Sequence, residues 1–318
     1  MICSFTTQSI LCAQSRKPYY SREVCLVADN DIFAFQDYYY TAGQDFIYRT
    51  LLRPGSRWNK LLRSPASVDS GKTILQFRYG FKIFTPSDIV TTDPGKMDRL
   101  YAGWQFVNAT VSNFPSSTSA NQYQLEIGVV GKNSGMEQLQ EWMHHYARFD
   151  LPRGWNYQIR NEVVVNAAYH RWKNWRLAKD FDIVSQSSIA AGTGKNEIAQ
   201  EIAVRVMQFN DLSNSVFANS RLSWDNRNQG RKRPIEFFLF AATGIHYVFS
   251  NILIEGSLFK GNQTPFATPK EPWVFQTRYG LMFSKHDISY SITMYHLSSE
   301  VANGDTHTYF SLSLAVRF

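Results

Sequence analysis

The last nine residues of the chain alternate strictly between apolar and small or polar side chains. The apolar set is Phe310, Leu312, Leu314, Val316 and Phe318. Alternate side chains of a strand point to opposite faces, so this strand has one apolar face and one face of small or polar residues. The apolar face needs an apolar partner, and the other face does not resemble a packed core. A lipid-facing strand of a transmembrane β-barrel, ending in an aromatic residue at the water interface, has this pattern. The last strand of a soluble β-sandwich also alternates, so the barrel interpretation requires repetition elsewhere in the chain.

Three other segments repeat this alternation. In Leu75–Ile83 the large apolar residues occupy odd positions, and Arg78 and Lys82 lie on the opposite face. A dry soluble core would not accept two charges there, whereas the wet lumen of a barrel would. A similar pattern runs through 273–283 and 288–294 on either side of a short turn. These segments predict a hairpin of two lipid-facing strands.

Composition agrees with strands and argues against membrane-spanning helices. Aromatic residues make up 15% of the chain, which suits the aromatic girdles of a barrel. Mean hydropathy is negative, as expected when half of each strand faces water. The most apolar stretch, Phe237–Ile254, contains Gly244, His246 and Asn251. We predict a strand and a following loop there rather than a transmembrane helix.

No linker, internal repeat or low-complexity tract divides the 318 residues, which predicts a single barrel domain over 15–318. Residues 1–14 end in Ile10-Leu-Cys-Ala-Gln14, a pattern typical of the tail of a secretory signal cleaved after Ala13; a frayed terminus is the alternative. Cys3, Cys12 and Cys25 have neither metal-ligand spacing nor the pattern of a disulfide framework.

The net charge of +7 is spread thinly, apart from the run Arg231-Lys-Arg233. Such a run is typical of a solvated turn, although cations also suit a phosphate-rich partner. No nucleic-acid-binding motif accompanies it, so no nucleic-acid partner is expected.

Alternating and β-rich segments predict an all-β fold, a twelve-stranded antiparallel transmembrane β-barrel. The predicted strands are 23–33, 42–53, 73–84, 101–113, 121–131, 157–173, 176–190, 196–209, 235–249, 272–284, 287–298 and 307–318. An even strand number is what bacterial outer-membrane barrels have. With both termini on the periplasmic side, every connection after an odd-numbered strand lies at the outer rim.

Oxygen-bearing side chains surround the first of these outer connections. Asn30 and Asp31 end the first strand, and Thr41 opens the second. Brought together at a rim, such side chains could hold a hard cation such as calcium or magnesium. Asn-Asp before a loop is also ordinary turn chemistry.

A helix is predicted in the outer connection between strands five and six. Ser134-Gly-Met-Glu137 matches a capping box, and apolar residues then recur at helical spacing, which predicts an extracellular helix near 134–149. Gln140 and His144 share one face of this helix, and Glu141 and His145 share another. Parity places the helix at the same rim as Asn30, Asp31 and Thr41.

Several short fragments, in order, resemble the calcium-dependent outer-membrane lipid A 3'-O-deacylase family. The fragments are Asp29-Asn-Asp31, Tyr40-Thr-Ala-Gly43, Ile83-Phe-Thr-Pro-Ser87, Tyr101-Ala-Gly-Trp104, Ile127-Gly-Val-Val-Gly131, Gln140-x-x-x-His144 and Gly154-Trp-Asn-Tyr-Gln158. The resemblance implies a twelve-stranded barrel that removes the 3' acyloxyacyl group of lipid A, the anchor of lipopolysaccharide, in the outer membrane of a Gram-negative bacterium.

The resemblance also implies roles for individual residues. The catalytic base falls on His144, the residue four positions before it is Gln140, and a family acid falls on Asp150. The family's cation site falls on Asn30, Asp31 and Thr41, which implies Ca²⁺ as cofactor. The family's active-site lysine has no clear counterpart; Lys96, slightly downstream, is a candidate substitute.

The residues are consistent with ester hydrolysis by water. A histidine base would deprotonate the water, a cation would polarise the carbonyl, and Gln140 or Asp150 would orient the ring. Three rivals differ in class or chemistry: a passive porin-like channel, an inactive barrel that only binds lipopolysaccharide, and a calcium-dependent phospholipase. The last would need a Ser-His pair, for which no motif is found. The expected state is a monomer, although the sequence does not fix it.

Overall fold

The chain forms a β-barrel of twelve antiparallel strands, seen in a computed structural model that describes residues 20–62, 72–223, 235–258 and 269–318. The strands are β1 (Arg22–Asn30), β2 (Tyr39–Leu51), β3 (Lys72–Thr85), β4 (Ala102–Ser116), β5 (Ser119–Val130), β6 (Glu162–Ala178), β7 (Phe181–Gly192), β8 (Lys195–Gln208), β9 (Ile235–Asn251), β10 (Trp273–Lys285), β11 (Ile288–Leu297) and β12 (His307–Arg317). The predicted fold class is therefore confirmed.

The barrel closes between its first and last strands. Each strand pairs with its sequence neighbours, and β1 also pairs with β12, where Leu26 stands opposite Leu314. Closure leaves no free strand edge, which a sheet within a bilayer requires. The described chain begins and ends at one end of the barrel, so connections after odd-numbered strands gather at the opposite rim.

The side-chain alternation predicted from sequence is present. Leu312 and Leu314 point outward and are 39% and 41% exposed. The inward-facing Arg78 instead forms an ion pair with Asp45 at 2.7 Å. Paired charges thus line the lumen at this level, while the outer wall is apolar.

Described residues fill the end of the lumen nearest the termini. Residues 209–222, which follow β8, fold back into the barrel, and Leu212 and Phe217 pack against the inward-facing Phe238 of β9. The buried Arg205 holds this segment by donating to the Ser215 hydroxyl at 3.0 Å and the Asn210 carbonyl at 3.2 Å. We call residues 209–222 the inner plug.

The opposite end is also filled. The helix α3 (Ile252–Glu255) follows β9, and its apolar residues are buried in a cluster with the inward-facing Tyr40 and Phe84. The Arg99 guanidinium is buried beneath it and donates to the Leu253 carbonyl at 3.3 Å. The lumen is therefore occupied by protein at both ends.

The remaining helices are α1 (Arg57–Leu62) and α2 (Met136–Ala147). None of the helices among the described residues is long and apolar enough to cross a membrane. The helix predicted near 134–149 is present as α2 but shorter at both ends. The predicted capping box is wrong, because Gly135 occupies the N-cap and the Ser134 hydroxyl donates to the Gly131 carbonyl at 2.6 Å.

Several sequence predictions fall outside the described residues. These are the signal remnant at 1–14, with Cys3 and Cys12, and the basic run at 231–233. The division into a leader and one barrel domain stays a prediction.

Candidate active site at the outer rim

Helix α2 lies against the outside of the barrel wall rather than over its mouth. Ala42 of β2 and Ile83 of β3 point outward, yet they are only 8% and 0% exposed. They pack in one cluster with Met136 at the start of α2, together with Tyr101 and Trp155. The helix therefore covers a patch of wall at the rim, at a position that lipid would otherwise contact.

A glycine allows this close approach. Gly103, near the start of β4, faces α2, and a Cβ at this position would collide with the Ser134 hydroxyl and the Met136 side chain. Any larger residue there would push the start of α2 away from the wall.

The structure distinguishes the two helical registers considered from sequence. Gln140 and His144 lie on the buried face of α2, and His144 is 7% exposed. His145 is exposed, and its ring contact is with Tyr146. Only the Gln140–His144 register therefore faces the barrel.

The C-terminal end of α2 fixes the orientation of the His144 ring. Arg148 adopts a left-handed backbone conformation with φ 59°, and the chain turns back beneath the helix. This turn brings the backbone carbonyl of Asp150 to 2.6 Å from His144 Nδ1. A carbonyl only accepts, so Nδ1 carries the proton and Nε2 has a free lone pair.

Asp150 thus contacts the histidine in a way that the sequence does not specify. Its backbone oxygen makes the hydrogen bond, and its residue as a whole is exposed. Orientation of the ring by the Asp150 carboxylate, one of the options considered from sequence, is not what the structure contains.

The Gln140 amide is held on one side only. Its Oε1 accepts a hydrogen bond from Trp155 Nε1 at 2.9 Å, which defines which end of the amide is oxygen. Its Nε2 is buried and has no hydrogen-bond partner among the described residues. A buried donor without a partner is costly, so a ligand oxygen there would be stabilised.

The loop after β1 folds around Asp31. The Asp31 backbone N–H donates to the Thr41 carbonyl at 3.3 Å, and its Oδ2 accepts from the Tyr38 N–H at 3.0 Å. Asn30 Oδ1 accepts from the Ile32 N–H at 2.7 Å. The turn chemistry considered from sequence is therefore real, but each oxygen keeps a second lone pair that could bind a cation.

Thr41 lies at an irregularity in β2. The pairing with β3 shifts between Tyr40 and Ala42, so Thr41 is the extra residue of a β-bulge. The bulge places Tyr40 on the lumen side, where its hydroxyl donates to Asp29 Oδ2 at 2.7 Å. It places Ala42 on the outer side, under α2. Thr41 itself is buried at the junction.

Burial is the largest influence on the pKa of two carboxylates at this rim, Asp31 and Asp37. Burial, with a smaller contribution from the nearby Asp37 charge, raises the pKa of Asp31 to about 8. Burial also raises the pKa of Asp37, and the neighbouring His144 partly offsets this effect. Asp37 therefore lies within electrostatic range of both Asp31 and His144. Its charge affects both the predicted cation site and the predicted base.

The rim residues fit a hard cation by donor type. The described residues contain no group of three or more His, Cys, Asp or Glu side chains suited to a metal. The amide, hydroxyl and carboxylate oxygens of Asn30, Thr41 and Asp31 are instead the ligands that calcium prefers. A bound cation would also compensate the buried Asp31 charge.

Lys96, the candidate substitute for the family lysine, lies exposed at the end of a short 3-10 helix, Pro94–Lys96. No contact within the described ranges joins it to His144 or Asp31. Its role as a substitute stays a prediction.

Sequence reasoning missed two residues of the site. Asp37 lies in the loop just before β2 and is not among the site residues predicted from sequence. Its proximity to His144 depends on how this loop folds. Trp155 lies in the fragment Gly154-Trp-Asn-Tyr-Gln158, and this fragment was the only available signal for its contact with Gln140.

A closed barrel with an apolar outer wall, which carries a polar cluster beneath an external helix, defines an outer-membrane β-barrel with a candidate site at its membrane-facing rim. Among solved structures, the chain is similar to "LpxR from Salmonella typhimurium", with a TM-score of 0.69 and 16% identity over 93% of this chain and 100% of that chain. The model of the family "Outer membrane protein LpxR" matches residues 1–318. The chain belongs to this family, and the family resemblance and outer-membrane location predicted from sequence are confirmed.

Other barrels match less well. The β domain of the Bordetella autotransporter BrkA gives a TM-score of 0.45 with 8% identity over 95% of this chain and 100% of that chain. The KdgM porin gives 0.39 with 5% identity over 93% and 99%. A search of curated proteins gives no match.

Proposed function

We propose that this protein is an ester hydrolase that removes the 3'-linked acyloxyacyl group of lipid A. The observation that carries the proposal is the position of His144. Its ring is fixed through Nδ1 on a helix that packs on the outside of the barrel, where the acyl esters of membrane lipid could reach it. Membership of the LpxR family supports lipid A as the substrate class.

The chain's own residues could perform the proton transfer. His144 Nε2, left as an acceptor by the bond from Nδ1 to the Asp150 carbonyl, would take a proton from water as the water attacks the ester carbonyl. The same nitrogen would then return a proton to the departing sugar oxygen. No serine or cysteine nucleophile is needed in this scheme.

Gln140 would stabilise the charge that develops on the carbonyl oxygen. Trp155 fixes its Oε1, so its Nε2 is directed away from Trp155 as a donor. A preorganised donor of this kind contributes roughly 10²–10³-fold to the rate in acyl-transfer enzymes. Trp155 would act as a positioning residue because it determines which end of the amide faces the substrate.

Asn30, Asp31 and Thr41 would hold Ca²⁺, which when bound would polarise the ester carbonyl as a Lewis acid. Asp31 supplies the negative charge of this donor set, and Tyr38 N–H keeps its carboxylate in place. Asp37, which is within electrostatic range of both Asp31 and His144, would add charge at the same rim. Lipopolysaccharide would be the physiological partner.

A comparison of two adjacent histidines tests the proposal. We expect His144→Ala to lower deacylation by roughly 10²–10⁴-fold, the usual contribution of a positioned base. His145→Ala is the matched control, since its ring is exposed on the same helix, and should keep the parental rate. The measurement is mass spectrometry of lipid A from cells producing each protein.

The outcomes separate the proposal from its alternatives. Equal lipid A profiles with and without the parent protein would favour a barrel that only binds lipopolysaccharide. Parental activity in His144→Ala would reject the histidine mechanism but keep the deacylase activity.

A further inference from the structure

The outer wall below the site is not uniformly convex. Strands β12, β1, β2, β3 and β4 line a shallow depression of about 640 Å³. We call it the β1 groove, and it is lined by Val24, Leu26, Phe46, Tyr79 and Leu314. All five side chains point outward and are exposed.

The shape of the groove follows from the side chains on neighbouring strands. β1 presents only aliphatic residues here, Val24 and Leu26, whereas β2 and β3 present Phe46 and Tyr79, whose ring centroids lie 6.1 Å apart. These two rings lie on one side of β1, and Val107 of β4 lines the depression beyond them. Leu314, opposite Leu26 on β12, borders the other side.

On β1, the outward-facing residues of the groove lie on the same face of the strand as Asn30 of the candidate active site. Between them on β1 lies the exposed Ala28, opposite Gln44 and Leu312. Two residues further along the same strand is Asn30 at the rim. A methyl side chain at position 28 leaves a path along the wall from the groove to the rim.

We infer that the β1 groove binds the acyl chain whose ester carbonyl is at the rim, and that it sets the acyl-chain length preferred by the enzyme. This inference rests on the proposed function and names its acyl-chain site. The chemistry is that of a saturated alkyl chain, because the wall offers dispersion contacts and no polar partner at Val24 and Leu26.

The distances give the inference a length scale. Leu26 lies four residues from Asn30, about 13 Å along the strand, and Val24 lies six residues away, about 20 Å. The zigzag of an extended alkyl chain, with C–C bonds of about 1.5 Å, advances about 1.25 Å per carbon along its axis, so roughly ten and roughly sixteen carbons cover these distances. Chains shorter than the first length would not reach the groove.

Two tryptophan substitutions test this scale. Leu26→Trp should block chains longer than about ten carbons, and Val24→Trp only those longer than about sixteen. The control is Ile202→Trp, an outward-facing residue on β8, on a distant part of the wall. Each purified barrel is assayed on synthetic 3-O-acyl glucosamine lipids of graded chain length.

We expect the parent and Ile202→Trp proteins to favour chains that fill the groove. In Leu26→Trp the ratio of long-chain to short-chain rates should fall roughly 10-fold or more, while short chains are hydrolysed at the parental rate. The Val24→Trp protein should show its loss at greater chain length. Heat-modifiable migration in gels identifies the folded barrels.

Two results would overturn the inference. Parental chain-length profiles in both groove variants would mean that the groove merely contacts bulk lipid, and an equal loss in Ile202→Trp would mean that the effect is not local. If the parent protein hydrolyses none of the esters, the proposed function fails and the groove has no substrate to select.

Discussion

At the scale of single residues, the candidate site depends on backbone groups as much as on side chains. The Asp150 carbonyl orients His144, and the Tyr38 N–H holds the Asp31 carboxylate. The sequence indicated His144, Gln140 and Asp31 through short fragments, but the direction of a carbonyl is determined by the fold. The contact made by Asp150 could therefore not be predicted from residue types.

Substitution of Asp150 tests whether its backbone carbonyl or its side-chain carboxylate is the group that matters for His144. Because its backbone makes the contact with His144 Nδ1, we expect Asp150→Ala to keep deacylation within a few-fold of the parent, about 1 kcal/mol or less in activation free energy. The measurement is the initial rate of lipid A deacylation. A loss as large as that of His144→Ala would show that the carboxylate itself is required.

Substitution of Asp31 should have a different effect from substitution of Asp150 or of His144. Asp31→Ala removes the charged oxygen of the proposed cation site, so we expect activity to be lost at low calcium and partly restored by excess calcium. His144→Ala should not respond to calcium, because its defect is in proton transfer. Titration of deacylation against free Ca²⁺ for both variants makes the comparison. Full Asp31→Ala activity in a chelator would reject this role for Asp31.

At the scale of elements, strands were predicted well and connections poorly. The period-two alternation of β3 and β10 is visible because lipid on one side and the lumen on the other select opposite side chains. Helix α2 was predicted from its helical spacing, but its start was not, since Gly135 rather than Ser134 is the N-cap. A capping box and a glycine cap look alike in sequence when Ser and Gly are adjacent.

The contact between α2 and the wall predicts a sensitive glycine. A methyl group at position 103 would collide with Ser134 and Met136, so we expect Gly103→Ala to displace the start of α2 and lower deacylation at least several-fold. Gly244→Ala is the control, since its added methyl would make only ordinary contacts, 3.5 Å or longer.

Both variants should remain folded barrels with the heat-modifiable migration of the parent, since Gly103 lies near the end of a strand. Deacylation rates then report the position of α2 alone. Equal, parental rates in both proteins would indicate that the helix tolerates displacement from the wall.

At the scale of the whole molecule, the candidate site lies on the outside of the barrel, and the described residues fill the lumen at both ends. Sequence reasoning expected a wet lumen because Arg78 and Lys82 face inward, and in the structure Arg78 is paired with Asp45. It missed the inner plug because residues 209–222 form only short 3-10 turns without periodicity. Their apolar residues become informative only when the topology places them opposite Phe238 and Phe240.

The closed interior predicts that the protein does not conduct. Leu212 and Phe217 of the inner plug pack tightly at one end, and α3 with Arg99 fills the other, so no continuous water path is expected. Purified protein in planar lipid bilayers should give no stepwise currents, whereas a general porin in the same bilayers serves as the positive control. Phe217→Asp should loosen the inner plug yet leave conductance absent, because the α3 end stays closed. Steady porin-like currents from the parent protein would contradict this closure and restore the passive channel as a function of this barrel.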